Sequence, residues 1–374
     1  KLKSKYWQKT HKYGIKCPRS VREAYQIDKE NGNTLWADAI RLEMKNNRIA
    51  FETYEGDIKQ LEGRGFEKIR GHMIFDVKLS ENFRRKARFV ADGHLVESPP
   101  SVTYSSVVSR DSVRILLMIA ALNELDLQAC DVQNAFLSAN NLEKHYLIAG
   151  PEFGNEQGKT FIVRRALYGL KSASAAFRSF MARRLDEIGF KSSVGDSDVW
   201  MRPAIKPNGQ EYYEYILCYV DDILAISMDA VSVLSEIKCQ GIKFKNDKIA
   251  PPESYLGTKL QRKSIDDYKC WSITSSEYIN AAILSVEESI RDTRWGSLPN
   301  KAITPMVQKY YPELDGSAEL EDKDITLYQE LIGMLRWATE IGRVDIVYEV
   351  SLLSQYLASP RIGHLTQALH IFGY

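Results

Sequence analysis

The chain has 374 residues, enough for two or three substructures around more than one core. Its hydrophobic content of 44%, charged content of 26% and mean hydropathy of -0.32 are typical of a soluble globular protein, and no apolar run predicts a membrane span or a secretion signal. The five cysteines are scattered without a Cys-x-x-Cys pair, which argues against disulfides and a zinc site and predicts a reducing, intracellular location.

The charge balance offers no overall attraction for nucleic acid, since the formal net charge is +1. The basic residues are unevenly placed, however. Residues 1–19 contain seven Lys or Arg and no acid, and residues 84–88 read Arg-Arg-Lys-Ala-Arg. Basic clusters with aromatic neighbours can follow phosphates, although a solvated tail explains the first cluster equally well.

Apolar spacing predicts helices within residues 18–60 and a β-hairpin from two alternating segments, 72–79 and 85–91. Because side chains repeat every second residue along a strand, Lys86 and Arg88 should share one face. Two cations placed in this way could clamp a triphosphate, or they could simply form a charged sheet surface.

Residues 111–125 form a strong helical pattern, followed by a short strand with Asp131 near its end and a turn that contains Phe136. The predicted core face of that helix is Val113, Ile115, Leu116, Ile119, Ala120 and Leu122. A looser insertion over 138–165 ends in a strand, and residues 166–174 then open another helix. Glycine and small residues ahead of a helix allow a ligand to approach the backbone, and Lys171 could meet phosphate there.

Residues 215–226 are two apolar runs around Asp221 and Asp222, a pattern that predicts a buried β-hairpin with two carboxylates at its turn. Adjacent carboxylates repel each other, and divalent cations such as Mg²⁺ relieve that repulsion. The alternative is an ordinary turn whose aspartates face water. A helix at about 229–238 and a strand within 251–260 follow.

The remaining residues, 274–374, are predicted to be mostly helical, with helices at 275–286, 325–338 and 345–356. Residues 312–324 carry six acids against one lysine and few apolar side chains. This composition predicts a mobile linker.

Three carboxylates therefore stand at predicted strand ends: Asp131, Asp221 and Asp222. The order of elements suits an antiparallel sheet backed by helices, with the hairpin beside the strand of Asp131. Such carboxylates could hold two divalent ions roughly 3.5–4 Å apart, an arrangement used for in-line attack on phosphorus. One ion would lower the pKa of the attacking hydroxyl, and the other would offset charge on the leaving pyrophosphate.

An ordered set of motifs carries a family resemblance. The motifs are Lys86-Ala-Arg-Phe-Val-Ala91, Cys130-Asp-Val-Gln-Asn-Ala-Phe136, Ala166-Leu-Tyr-Gly-Leu-Lys171, Tyr219-Val-Asp-Asp222, Tyr255-Leu-Gly257, Thr304-Pro-Met306, and Leu331-Ile-Gly-Met-Leu335 with Asp345-Ile346. Together they resemble the copia-type (Pseudoviridae) LTR-retrotransposon reverse transcriptases, from about residue 36 to the end of the chain. The Tyr-x-Asp-Asp tetrad alone would be a weak signal, whereas the ordered set is specific.

The resemblance implies an α+β right-hand polymerase fold with an antiparallel-sheet palm, β-rich fingers and a helical thumb. The implied segments are an N-terminal basic and helical extension (1–70), fingers (71–105 and 138–165), a palm with the hairpin and primer grip (106–137 and 166–262), and a thumb with connector (263–374).

The resemblance also implies roles for individual residues. Asp131, Asp221 and Asp222 would be catalytic and would bind two Mg²⁺ ions, with Mn²⁺ as a substitute; Lys86, Arg88, Phe136, Tyr168 and Lys171 would bind the dNTP; Gly169, Tyr219, Tyr255, Leu256 and Gly257 would contact template and primer. Phe136 corresponds to a steric gate, a ring that would clash with a 2′-hydroxyl. Asp131 and Asp221 are expected to bind both ions, and Asp222 to contribute charge and one contact.

The implied function is that of a retrotransposon-derived, RNA- and DNA-directed DNA polymerase, acting on an RNA template, a DNA primer and dNTPs. No membrane partner is predicted. The expected location is a cytoplasmic particle or the nucleus, and a monomer, a homodimer and a particle component all remain open.

Two departures from the family pattern motivate an alternative. Family members usually read Leu-Lys-Gln-Ala-Pro-Arg-Ala-Trp where this chain reads Leu170-Lys-Ser-Ala-Ser-Ala-Ala-Phe177, and no ribonuclease H segment fits before Tyr374. The alternative is a domesticated nucleic-acid-binding scaffold with weak catalysis. A metal-dependent nuclease ranks last, because it gives no role to Phe136.

Overall fold

The chain divides into two compact units in a computed structural model that describes residues 11–12, 14–78, 83–97, 99, 103–266, 268–300 and 302–374. The first unit comprises the residues up to Ser109 together with Gln128–Ala250. The second unit comprises Arg110–Leu127 and Pro251–Tyr374. The chain thus leaves the first unit, returns to it, and leaves it again. The last of these boundaries, after Ala250, lies inside the predicted palm segment 166–262.

Helices and strands alternate irregularly along the described chain. The helices are α1 (Val21–Glu30), α2 (Leu35–Asn47), α3 (Ile58–Gly63), α4 (Arg110–Leu122), α5 (Ala135–Ser138), α6 (Ala173–Glu187), α7 (Ala230–Cys239), α8 (Ser276–Ile290), α9 (Asp322–Ile341), α10 (Val347–Ser354) and α11 (Ile362–Gly373). The strands are β1 (His11–Lys12), β2 (Ile15–Lys16), β3 (Phe51–Tyr54), β4 (Glu67–Lys68), β5 (Gly71–Lys78), β6 (Arg84–Ala91), β7 (Asp126–Asp131), β8 (His145–Ile148), β9 (Thr160–Val163), β10 (Lys191–Ser192), β11 (Val199–Ile205), β12 (Glu211–Tyr219), β13 (Asp222–Ser227), β14 (Ser254–Tyr255), β15 (Thr258–Ile265) and β16 (Tyr268–Thr274).

A sheet with the strand order β10–β11–β12–β13–β7 forms the centre of the first unit. β12 and β13 pair antiparallel, and β7 lies beside β13. Ile216 of β12 and Ile223 of β13 share one apolar core with Met181 of α6 and Ile237 of α7, so both helices cover the sheet. The predicted α+β class, the hairpin and its position beside the strand of Asp131 are therefore confirmed.

A second group of strands in the first unit consists of the hairpin β5–β6 and the sheet β3–β9–β8–β4. In the hairpin Lys86 lies opposite Asp76 and Arg88 opposite Ile74, so the two cations occupy alternate positions as predicted. The helical prediction for residues 18–60 holds for α1 and α2 but is wrong for Phe51–Tyr54. That segment pairs with β9, and the distant partner strand overrides the local pattern.

The second unit has its own apolar core, in which Val286 of α8, Leu331 of α9, Leu353 of α10 and Leu365 of α11 meet. The prediction of helices in the C-terminal third is confirmed. In α4 the residues Val113, Leu116, Leu117 and Ala120 are buried. Its predicted core face is wrong at two positions, since Ile115 is 53% and Leu122 76% exposed.

The acidic segment 312–324 is not the predicted mobile linker. The imidazole of His364 donates to the carbonyl of Pro312 at 2.9 Å, and Arg361 donates to the carbonyl of Ser317 at 2.6 Å. Leu320 is buried in the core of the second unit. Composition predicted disorder because the segment has few apolar residues, but the beginning of α11 supplies partners for its backbone.

Candidate active site

The turn of the β12–β13 hairpin is formed by Val220 and Asp221, since β13 begins at Asp222. Val220 has a φ of 55°, a left-handed conformation that a β-branched residue keeps only where its surroundings hold it. The carbonyl of Asp221 accepts a 2.7 Å hydrogen bond from the backbone N–H of Val132. This bond attaches the strained turn to the residue that follows β7.

The carboxyl group of Asp222 has a raised pKa. Burial, a hydrogen bond with Asp131 and then the charge of Asp221 raise the pKa of Asp222 to about 7. The side chain of Asp131 is half exposed, and its Oδ2 lies 3.4 Å from Nζ of Lys245. The turn thus concentrates more negative charge than one lysine offsets.

The chemistry of these donors suits a divalent cation. Carboxylate oxygens are hard ligands of the kind Mg²⁺ prefers, and an added cation would favour the ionised form of Asp222. Among the residues that the structure describes, no three His, Cys, Asp or Glu side chains are grouped closely enough to form a ready-made metal site. The binding of two Mg²⁺ ions therefore stays a prediction that the donor set supports.

An aromatic and cationic stack brings together three of the predicted dNTP-binding residues. The ring of Phe136 packs edge-on against that of Tyr168, with centroids 4.7 Å apart, and edge-on against that of Phe177, with centroids 6.3 Å apart. The guanidinium of Arg88 lies 4.4 Å from the centroid of the Tyr168 ring. Phe136 therefore contacts two rings, one of which also contacts a cation of the β5–β6 hairpin.

A second cation of that hairpin lies among other positive charges. Burial lowers the pKa of Lys86, and the charges of Arg88, Lys78 and Lys245 lower it further. Cations that destabilise one another in this way are ready to accept a polyanion, because bound phosphates would relieve their repulsion.

Sequence reasoning missed Lys245. This residue opens a tight turn after Phe244 in which Asn246 and Asp247 have left-handed φ values of 55° and 56°. The bridge between Phe244 and Val132 brings Lys245 beside Asp131. Asp131 and Lys245 are 114 residues apart in the chain. No periodicity or motif marks Lys245, and only the bridge between distant segments reveals its position.

The segment before α6 packs tightly against the end of β6. The N–H of Ala91 donates to the carbonyl of Tyr168 at 2.7 Å, and a Cβ at Gly169, whose φ is 92°, would lie 2.0 Å from the carbonyl oxygen of Ala91. The ammonium of Lys171 donates to the carbonyl of Val96 at 2.7 Å. Gly169 thus permits a close backbone contact, while the predicted phosphate contact of Lys171 stays a prediction.

The three predicted primer-contacting residues Tyr255, Leu256 and Gly257 belong to the second unit. Leu256 and Gly257, with φ values of 49° and 81°, form the two-residue turn between β14 and β15, as a type I′ hairpin requires. Tyr255 is buried, and its carbonyl accepts a 2.7 Å hydrogen bond from the hydroxyl of Thr258. The hairpin is well formed, and its role at a primer stays a prediction.

No helix in the described ranges is long and apolar enough to cross a bilayer.

Comparisons with known proteins agree on one family. The family model described as reverse transcriptase (RNA-dependent DNA polymerase) matches residues 64–291. The transposon Ty5-1 protein of Saccharomyces cerevisiae is 28% identical over 247 residues, which cover 65% of this chain and 74% of that protein. The retrovirus-related Pol polyproteins from transposons RE2 and RE1 of Arabidopsis thaliana are 26% and 28% identical over 78% of this chain.

This chain spans only 19% of each of the two plant polyproteins. Among solved structures, the foamy viral protease-reverse transcriptase in complex with double-stranded DNA matches with a TM-score of 0.38 and 14% identity, covering 77% of this chain and 41% of that one.

Proposed function

The chain belongs to the reverse transcriptase (RNA-dependent DNA polymerase) family, as a copia-type LTR-retrotransposon member, and on that premise we propose that it extends a DNA primer with dNTPs along RNA and DNA templates. The observation that carries the proposal is the carboxylate cluster at the hairpin turn. Asp131 and Asp222 lie within hydrogen-bonding reach of each other, beside Asp221. Partly buried carboxylates are expensive to ionise together unless cations bind them.

Two Mg²⁺ ions bound there would activate the primer hydroxyl and offset charge on the leaving pyrophosphate. In this proposal Asp131 and Asp221 are the main ligands, and Asp222 contributes charge and one contact. Lys86, Arg88 and Lys245 supply positive charge for the triphosphate.

Phe136 selects the sugar in the proposed reaction. Its ring packs edge-on against the rings of Tyr168 and Phe177. These contacts restrict its rotation, so a 2′-hydroxyl placed against the ring would meet a fixed surface. The expected preference is for dNTPs over rNTPs.

Primer extension on poly(rA)/oligo(dT) with Mg²⁺ tests the proposal. Asp221→Asn should reduce the rate of primer extension by at least about 100-fold. The loss of a metal ligand should lower activity at least as much as the loss of a residue that only orients a ligand. Asp186→Asn is the matched control: this carboxylate of α6 pairs with Lys191 at the surface, where such pairs contribute little.

Wild-type extension by Asp221→Asn would show that the metal assignment is wrong. The domesticated scaffold predicts a different result, namely tight binding of an RNA/DNA hybrid by the wild-type chain and no incorporation with either Mg²⁺ or Mn²⁺. That result would replace the polymerase proposal.

A further inference from the structure

An ion pair with a buried carboxylate lies beside β12, the first strand of the hairpin that carries Asp221 and Asp222. The side chain of Asp198 is 3% exposed and accepts a 2.8 Å hydrogen bond from Nε of Arg178. The hydroxyl of Ser106 donates to its other oxygen. A buried carboxylate is tolerated when its charge is paired and its oxygens are bonded, and Asp198 meets both conditions.

Asp198 also forms a backbone hydrogen bond with β12 just before the turn. The carbonyl of Asp198 accepts a 3.0 Å hydrogen bond from the N–H of Cys218, and the carbonyl of Cys218 accepts a 3.2 Å bond from the N–H of Val108. Both backbone groups of Cys218 are therefore hydrogen-bonded. Its N–H bonds to Asp198, and its carbonyl bonds to Val108, which lies two residues after Ser106 in the chain. Val220 and Asp221 follow Cys218 closely in the chain.

Arg178 connects this arrangement to the predicted sugar gate. It lies on α6 directly after Phe177, whose ring packs against Phe136. Its Nη2 also donates to the carbonyl of Ser197 at 3.0 Å. The guanidinium is thus bonded twice to the 197–198 segment, and its neighbour contacts the gate.

A small crevice lies beside the turn, and its lining includes Phe177, Arg178, Asp198, Cys218 and Val220. The ion pair and the left-handed residue of the turn thus border the same space.

We propose that Arg178 and Asp198 form a positioning pair that sets the place of the β12–β13 turn, and hence of Asp221 and Asp222, relative to Phe136. The proposal rests on the proposed function, and neither residue is a catalytic one.

The test compares Arg178→Lys, Arg178→Met and the double variant Arg178→Met with Asp198→Asn. Arg178→Met alone leaves a buried charge unpaired and is expected to destabilise the fold. The double variant has no unpaired buried charge, so it should fold, and its affinity for an RNA/DNA hybrid should stay within about twofold of wild type. Its single-turnover extension rate should fall on the order of 10- to 100-fold, with an unchanged KM for dNTP. Arg178→Lys, which keeps the charge but not the planar fork, should recover part of the rate.

Arg184→Met is the matched control, since Arg184 is another arginine of α6 and pairs with Glu187 at the surface, 2.9 Å away. It should extend primers like wild type. A folded double variant that extends primers at the wild-type rate would overturn the proposal, and so would an equal loss in Arg184→Met.

A second readout separates this proposal from the proposed function. Mn²⁺ titration followed by electron paramagnetic resonance reports binding without requiring turnover. We expect the double variant to bind Mn²⁺ about tenfold more weakly than wild type, as when a residue that orients a ligand is lost. If the wild-type chain extends no primer, the proposed function is wrong. If the double variant binds Mn²⁺ as tightly as wild type, the positioning role is wrong.

Discussion

At the scale of single residues, the three carboxylates differ more than their shared motif suggests. Asp221 lies in the turn, Asp222 begins β13, and Asp131 ends β7 half exposed. Burial and the neighbouring acids raise the pKa of Asp222 to about 7. The motif predicted a shared metal site, whereas the uneven burial of the three groups depends on how the strands and turn pack.

The pH dependence of stability follows from Asp222. Its pKa rises from 3.8 to about 7 on folding, so the folded state binds the proton more tightly than the unfolded state does. The free energy of unfolding of the metal-free protein therefore falls as the pH rises from about 4 to about 7. Asp222→Asn removes this loss. In EDTA its melting temperature should therefore exceed that of wild type by a margin that widens over this range and stays constant above it.

Scanning calorimetry at several pH values measures the margin. A margin for Asp222→Asn that does not change with pH would contradict the raised pKa.

Phe136 is the residue expected to discriminate against rNTPs. Phe136→Ala removes the ring that packs against Tyr168 and Phe177. Discrimination against rNTPs should fall on the order of 10- to 100-fold, the range expected when a steric contact with a small group is lost. The ratio of kcat/KM for dTTP to that for UTP on poly(rA)/oligo(dT) measures it. Phe180→Ala serves as the control, since that ring stacks on Phe177 instead. Unchanged discrimination in Phe136→Ala would take the gate role from this residue.

At the scale of elements, the contact between the end of β6 and the segment before α6 depends on two glycines. A Cβ at Gly93 would lie 2.2 Å from the carbonyl oxygen of Gly169, and a Cβ at Gly169 would meet the carbonyl of Ala91. Backbone atoms cannot rotate aside as side chains can. The close approach attaches the cationic hairpin to the helix that carries Phe177.

Gly93→Ala should therefore destabilise the fold by about 1–3 kcal/mol, the usual range for overpacking. Denaturant unfolding measures the change. Gly63→Ala is the matched control, because a Cβ there meets nothing within 4 Å in the described chain and, as at Gly93, φ is not positive. Equal stability of the two variants would show that the segments can separate without cost.

The errors of the element predictions have a common cause. Phe51–Tyr54 was predicted as helix and pairs instead with β9, more than 100 residues later in the chain. The segment 312–324 was predicted as mobile and is bonded to Arg361 and His364. In each case a partner from a distant segment satisfies the backbone, and local composition carries no information about that partner.

At the scale of the whole molecule, net charge is a poor guide to where nucleic acid would bind. The chain carries +1 overall, yet the charges of Arg88 and Lys245 both act on Lys86, and Lys245 lies 3.4 Å from Asp131. The two compact units each combine segments that are far apart in the chain. Contacts within them, and not the sum of charges, determine which side chains act together.

The sequence by itself determined the family, the α+β class, the hairpin and the identity of the three carboxylates, because apolar periodicity and ordered motifs are properties of neighbouring residues. Only the tertiary structure decided that Lys245 lies beside Asp131, that Ser106 and Arg178 meet at Asp198, and that Gly93 touches Gly169. These are meetings between separate segments, brought about by strand pairing and helix packing, and a local pattern does not record which segment will be the neighbour.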